Sequence, residues 1–151
     1  MFKNILVAVD GSPHAERALE EAIDLARLAN GTLTVVTVAP DPASLATNPG
    51  FAYAVDYGAL LQDLEREYRE LLEKERAKVP ADVKSDGRLL FGHPAPAILD
   101  ELEADGYDLV VMGSRGRGGL ASLMLGSVSQ AVLHAGRVPV LVVHLPSDAK
   151  D

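Results

Sequence analysis

Short apolar runs alternate with helical patterns along most of the chain. The first run, Asn4–Val9, is continuously apolar after its first residue, which is typical of a strand buried on both faces. Four later runs predict further strands, at Thr32–Val38, Val83–Phe91, Tyr107–Gly113 and Val138–His144. Because strands that alternate with helices favour parallel pairing, the pattern predicts an α/β domain built on a parallel sheet.

Apolar residues at helical spacing predict helices in the intervals between the strands. We expect Ser12 to cap the first helix, with Pro13 at its first position and Gly31 ending the unit. The second helix has a leucine stripe and a charged face that we expect to be solvated. The later helices are predicted at Leu60–Leu72, after Pro94, and over Ser127–Ala135 with Gly136 at its end.

Between the second predicted strand and the second helix lies a long loop. The segment Ala39–Gly58 contains prolines, Asn48 and Gly50, which favour irregular structure. Long loops in compact domains are usually functional lids or mobile segments. With 151 residues and no break in composition, the chain is expected to form a single domain over residues 1–151.

Composition narrows the function classes. The formal net charge of −8 argues against a general nucleic-acid or membrane-surface protein, which would need a broad basic face. The absence of cysteine excludes disulfides and thiolate chemistry. The opening apolar run is too short for a signal peptide or a membrane span, so we expect a cytoplasmic protein. No two of the four histidines have metal-ligand spacing, and we expect His14, His134 and His144 at the surface.

The segment Gly113–Ser127 holds five glycines and two arginines. It does not match the P-loop pattern. Gly116–Ala121 reads G-x-G-x-x-A, but the acidic residue expected about 20 positions later in a dinucleotide site is absent. No carboxylate occurs between Asp108 and Asp148, a span that contains Arg115, Arg117 and Arg137, and such a region suits an anion.

The end of this segment suggests how an anion is held. Ser127–Gln130 fits a capping box, which predicts a helix starting at Ser127 with free N–H groups at its positive end. Gly126 lets the backbone come close to a ligand, and Gly113 and Gly116 do the same at the strand end. The spacing alone leaves open a flexible loop whose serine only caps a helix.

Gly113-x-x-Gly116, followed after nine residues by Gly126-Ser127, resembles the signature of nucleotide-binding universal stress proteins. The stretches ILVAVDGSPHAERALEEA, DLVVMGSRGRGG and GSVSQAVLHAGRVPVLVV also resemble that family. The resemblance implies an adenine nucleotide alpha hydrolase-like fold, with five parallel strands in order 3-2-1-4-5 and helices on both faces. The first and fourth strands are then neighbours at the switch point, where open α/β sheets bind ligands.

The resemblance also implies an ATP site. Ala8, Val9 and Asp10 line the adenosine side, and Val38 closes over the base. Met112 and Gly113 lie along the ribose. The phosphates are expected at Arg115, Gly116, Gly126, Ser127, Val128 and Ser129. Asp10 is the acidic candidate for contact with a magnesium ion, although it is also suited to capping the first helix.

Three functions stay open on this basis. The first is a nucleotide-binding stress-response regulator, which binds ATP without fast turnover. The second is a slow ATPase or phosphoryl-transfer enzyme, and the third is a nucleotide-free interaction module. In the implied strand order the last strand is an apolar edge, so we predict a homodimer through Val140–Val143.

Overall fold

The computed structural model describes residues 1–41, 57–115 and 126–146. Strands and helices alternate along them in the predicted order, and most element ends lie within one or two residues of the predicted ones. The elements are β1 (Asn4–Ala8), α1 (Pro13–Ala29), β2 (Thr32–Ala39), α2 (Tyr57–Arg76), β3 (Lys84–Phe91), α3 (Pro94–Ala104), β4 (Leu109–Gly113), α4 (Ser127–Ala135) and β5 (Val140–Val143).

The five strands form one parallel sheet in the order β3-β2-β1-β4-β5, which confirms the predicted topology. At the centre, Val7 of β1 is in register with Val35 of β2 and with Val111 of β4. The chain leaves β1 toward β2 on one side and reaches β4 on the other. The connections therefore diverge beside the carboxyl ends of β1 and β4, which makes this the switch point of the sheet.

Helices cover both faces of the sheet, as predicted. One aliphatic core cluster joins β1, β2 and β4 to α1 and α2, with Ile5, Leu19 and Leu72 among its members. The other cluster joins the opposite face of those strands to α3 and α4, and includes Ile98 and Val132. Burial on both faces explains why β1 and β4 are almost continuously apolar. In the described part of the chain, no helix is both long and apolar enough to span a membrane.

The two helices on the first face are joined by charges. Lys78, just after α2, bonds to Glu16 of α1 at 2.8 Å and to Glu75 of α2 at 3.0 Å. The Glu75 side chain is buried, so the expectation that all charged residues of this helix are solvated is wrong at this position. A buried carboxylate needs a partner, and Lys78 supplies it.

The N-terminus of α1 is capped as predicted, but its C-terminus differs from the prediction. Ser12 is the N-cap and its hydroxyl accepts the N–H of Ala15 at 3.2 Å, with Pro13 opening the helix. At the other end Asn30, rather than Gly31, adopts the left-handed conformation, with φ of 50°. Gly31 has a different reason to be glycine, because a Cβ there would lie 2.7 Å from the Lys3 carbonyl oxygen.

The predicted long loop is shorter at both ends than expected. Ala39 belongs to β2, and Tyr57 and Gly58 begin α2. Residues 42–56 of the interval lie outside the described residues.

Candidate functional site

The described residues of the predicted site lie at or near the carboxyl ends of β1, β2 and β4 and at the start of α4, whereas Gly116 lies outside the described residues. Strands β1 and β4 are direct neighbours, and the chain turns from β1 through Asp10 and Ser12 into α1. The end of β1 is also tied to β2, because Val9 donates its N–H to Val36 and accepts the Thr37 hydroxyl at 3.1 Å. The end of β1 is therefore fixed to β2 by one backbone and one side-chain hydrogen bond.

Apolar side chains form a wall on the α3 and α4 side of the carboxyl edge of the sheet. Ala8, Val38 and Val128 are half-buried and pack against the same core cluster as buried Met112. Four predicted site residues from β1, β2, β4 and α4 are thus on one side of the sheet. Val9 is different, because its side chain is buried in the cluster on the α1 side.

Asp10 is held in the turn that enters α1. Its Oδ1 accepts the N–H of Ser12 at 2.9 Å, and the residue is half-buried. The alternative in which Asp10 caps α1 is not what the structure shows, since the capping oxygen belongs to Ser12. The turn fixes the carboxylate at the crevice edge. Within the described ranges, no cluster of three or more acidic, histidine or cysteine residues is arranged to hold a metal.

Gly113 permits a close approach, but the partner is α1. A Cβ at this position would lie 2.8 Å from both the carbonyl carbon and the Cβ of His14. His14 is itself buried, which corrects the expectation that it lies at the surface. The glycine at the end of β4 thus has a packing reason that the sequence did not reveal.

The start of α4 is bonded directly to the end of β4. Ser129 donates its hydroxyl to the Gly113 carbonyl at 2.7 Å, and Gly126 donates its N–H to the Ser114 carbonyl at 2.6 Å. The first N–H groups of a helix have no acceptor within it, so this end offers donors at the switch point.

The predicted capping box does not form. Gly126 is the N-cap, so Ser127 is the first helical residue and is exposed. The Gly126 backbone is extended, with φ of −62° and ψ of 157°. A positive φ is therefore not the reason for glycine here.

The model of the universal stress protein family matches residues 1–144. The chain belongs to the universal stress protein family. It is 39% identical over 143 residues to a Thermus aquaticus universal stress protein, named for its place in the QAH/OAS sulfhydrylase 3′ region, covering 95% of this chain and 99% of that protein. It is 32% identical over 147 residues to universal stress protein YxiE of Bacillus subtilis, with the same two coverages.

Solved structures share this fold. Hypothetical protein MJ0577 superposes with a TM-score of 0.80 at 27% identity, covering 96% of this chain and 97% of that one. A universal stress protein in complex with cAMP has a TM-score of 0.71 at 24% identity, covering 95% and 97%. One from Archaeoglobus fulgidus in complex with dAMP has a TM-score of 0.63 at 23% identity, covering 94% and 98%. At these two lower identities, the likeness shows the fold alone.

In this universal stress protein, the arginines of the carboxylate-free span are not all isolated from carboxylates in the folded structure. Arg137 pairs with Glu103 of α3 at 2.9 Å. The sequence from Leu109 to Ser147 has no carboxylate, but in the folded protein a carboxylate from another element lies beside it. Arg115 lies two residues beyond the end of β4 and is half-buried. Gly116 and Arg117 lie outside the described residues. Of the predicted cations, Arg115 is the one that the described part of the chain has beside the carboxyl end of β4.

Sequence reasoning missed Ser114, between Gly113 and Arg115 of the signature. This residue is 1% exposed, and among the described residues its hydroxyl has no hydrogen-bond partner. Its backbone is held on two sides, with the N–H donated to Val143 and the carbonyl accepting from Gly126. The only sequence signal was its place next to a signature glycine, where serine is an ordinary turn residue.

Proposed function

We propose that this universal stress protein binds an adenine nucleotide, specifically ATP, at the crevice between β1 and β4. The observation that carries the proposal is the bonding of α4 to the end of β4, which directs a helix N-terminus at the switch point. Such an end combines free N–H groups with the positive pole of the helix dipole, and it suits phosphate. The ligands cAMP and dAMP of two structurally similar family members support the adenine class by analogy.

The residues at the crevice fit the parts of such a ligand. The half-buried apolar wall of Ala8, Val38 and Val128 suits the base and ribose, together with the backbone of Val9, Met112 and Gly113. The phosphates are assigned to the start of α4 and the signature loop, at Arg115, Gly116, Gly126, Ser127, Val128 and Ser129. A magnesium ion bound with the phosphates would have the Asp10 carboxylate as its protein ligand, where it would neutralise phosphate charge.

The test is isothermal titration of the whole chain with ATP, AMP and adenosine. Gly126→Val is expected to abolish ATP binding, since the extended backbone accepts valine but the side chain fills space beside the phosphates. Losing the glycine N-cap is expected to cost about 1 kcal/mol of stability. The matched control is His93→Val, which puts valine at the extended N-cap of α3 and should leave ATP affinity unchanged. Full affinity in folded Gly126→Val contradicts the proposed site.

We also propose that occupancy, rather than turnover, is the output of the site. Binding ground and transition states equally gives affinity without rate. Phosphoryl-transfer enzymes work at about 1 to 100 per second. The span from Leu109 to Ser147 supplies no carboxylate of its own to orient a water, which leaves Asp10 as the carboxylate of the proposed site. We expect phosphate release far below these rates with excess ATP and magnesium. Multiple turnovers per second that vanish in Asp10→Asn would instead favour the ATPase.

We place this regulatory role in the cytoplasm. The nucleotide-free alternative is tested on the protein as purified. Mass spectrometry of small molecules released on denaturation should detect an adenine nucleotide. Protein that releases none, and that also fails to bind ATP when it is added, would favour an interaction module.

A further inference from the structure

We infer that the Ser114 hydroxyl donates a hydrogen bond to a phosphate oxygen of the bound nucleotide, and that it has a hydrogen-bond partner only when the nucleotide is bound. This inference rests on the proposed function and adds a residue to that site. It starts from a buried polar group that lacks a hydrogen-bond partner in the described part of the structure. A buried hydroxyl without a partner destabilises a fold, and native structures contain few of them. Ser114 is 1% exposed and, within the described ranges, has no partner for Oγ.

The strand pattern gives the direction of this side chain. Met112 packs on the α3 and α4 side of the sheet, whereas a Cβ on Gly113 would meet His14 of α1 on the other side. Ser114 continues the ladder toward β5, because its N–H bonds to Val143. Successive side chains of a strand alternate between faces, so Ser114 returns to the side of α4. There its own carbonyl accepts the N–H of Gly126, at the N-cap of α4. The hydroxyl thus lies on the side of the sheet that carries the N-terminus of α4, where we place the phosphate.

The surroundings also explain why the hydroxyl does not find a partner in the protein. Bonds to β5 and to Gly126 hold both backbone polar groups of Ser114, and rotation about χ1 is the movement left to the side chain. The carbonyl of the preceding residue, Gly113, already accepts the Ser129 hydroxyl at 2.7 Å. A phosphate oxygen is an acceptor, and the hydroxyl supplies a donor to it beside the N–H groups of α4.

The experiment compares Ser114→Ala with the parent in two measurements. In the empty protein, the urea midpoint of Ser114→Ala should equal or exceed that of the parent, because an unsatisfied group is removed. In calorimetry, its ATP affinity should fall about tenfold, the usual effect of one lost hydrogen bond to a charged group. Adenosine affinity should stay the same, since adenosine has no phosphate. Ser114→Cys keeps the shape of the side chain with a slightly larger atom and a weak donor, and should also weaken ATP binding.

The matched control is Thr34→Val. Thr34 is also a buried hydroxyl, but it is hydrogen-bonded to Tyr107, away from the carboxyl edge of the sheet. Its removal should lower the urea midpoint and leave ATP affinity unchanged. If Ser114→Ala behaves like this control, or keeps full ATP affinity at any stability, the inference is wrong while the proposed function stands. A fall in both midpoint and affinity also overturns it, because the hydroxyl then has a structural partner. A parent that binds no ATP overturns the proposed function and the inference together.

Discussion

At the scale of single residues, Gly113 shows that a glycine can be required either for close approach to a ligand or for close packing within the protein. The signature suggested that its backbone approaches a phosphate, whereas the contact in the structure is with His14 of α1. Sequence spacing identifies a position where a side chain is excluded, but not what excludes it, because the neighbour is about a hundred residues away in the chain. His14 and Ser114 escaped prediction for the same reason, since their burial depends on elements distant in sequence.

Gly113→Ala is therefore expected to destabilise the fold by roughly 1 to 3 kcal/mol, the usual cost of overpacking. The added methyl would meet the His14 backbone at 2.8 to 2.9 Å, and a helix backbone cannot yield cheaply. Urea unfolding measures the change. The matched control is Gly87→Ala in β3, where the new Cβ meets the flexible end of the Arg76 side chain at 2.9 Å. Equal stabilities for the two variants would contradict this reason for Gly113.

At the scale of elements, periodicity predicted the type and order of the strands and helices that the structure describes. This succeeded because each element buries a face set by its own local pattern. The N-terminus of α4 shows the limit. Ser127 and Gln130 match a capping box, yet the hydroxyl that fixes the helix start belongs to Ser129 and bonds to Gly113 in β4. A bond across 16 residues overrides a local capping preference, and spacing alone does not predict it.

Tyr107 ties three elements together and gives the fold a dependence on alkaline pH. It lies before β4, and its hydroxyl donates to Glu101 of α3 at 2.8 Å, while Glu101 also pairs with Arg88 of β3. Burial, followed by the bond to Glu101, raises the pKa of Tyr107 from its usual value near 10 to about 12. A raised pKa favours the protonated, folded form. Its stabilisation is fully present below pH 10 and is lost as the pH rises toward 12.

Tyr107→Phe should consequently be less stable than the parent by about 1 kcal/mol at pH 8, because the hydrogen bonds of the hydroxyl are lost. The difference should shrink between pH 10 and pH 12, since only the parent has this phenol to ionise. Urea unfolding at pH 8 and pH 11 measures both values, and charges common to the two proteins cancel in the difference. If the difference in unfolding free energy between the parent and Tyr107→Phe stays constant or widens at pH 11, the fold does not raise the pKa of this phenol.

At the scale of the whole molecule, the order of the strands decides what is exposed. Alternation predicted a parallel sheet, but the order 3-2-1-4-5 came from the family resemblance, because many orders bury the same apolar strands. That order puts β5 at one edge. The carbonyls of Pro139 and Val143 accept the N–H groups of Val110 in β4 and of Ser114 just after it. In this parallel pairing the N–H and C=O groups of Val140 and Val142 therefore point outward. The edge thus offers N–H and C=O groups on an apolar strand.

We predict that a second copy covers this edge by antiparallel pairing of β5, which satisfies the outward groups of both chains by symmetry. Val142→Pro removes one outward N–H and no bond to β4, so the monomer should fold, since proline is tolerated at an exposed strand edge. The variant should be monomeric where the parent is dimeric, measured by light scattering on a sizing column at micromolar concentration. The matched control Val142→Ile keeps the N–H and should stay a dimer. A monomeric parent, or a Val142→Pro variant that remains dimeric, contradicts pairing through β5.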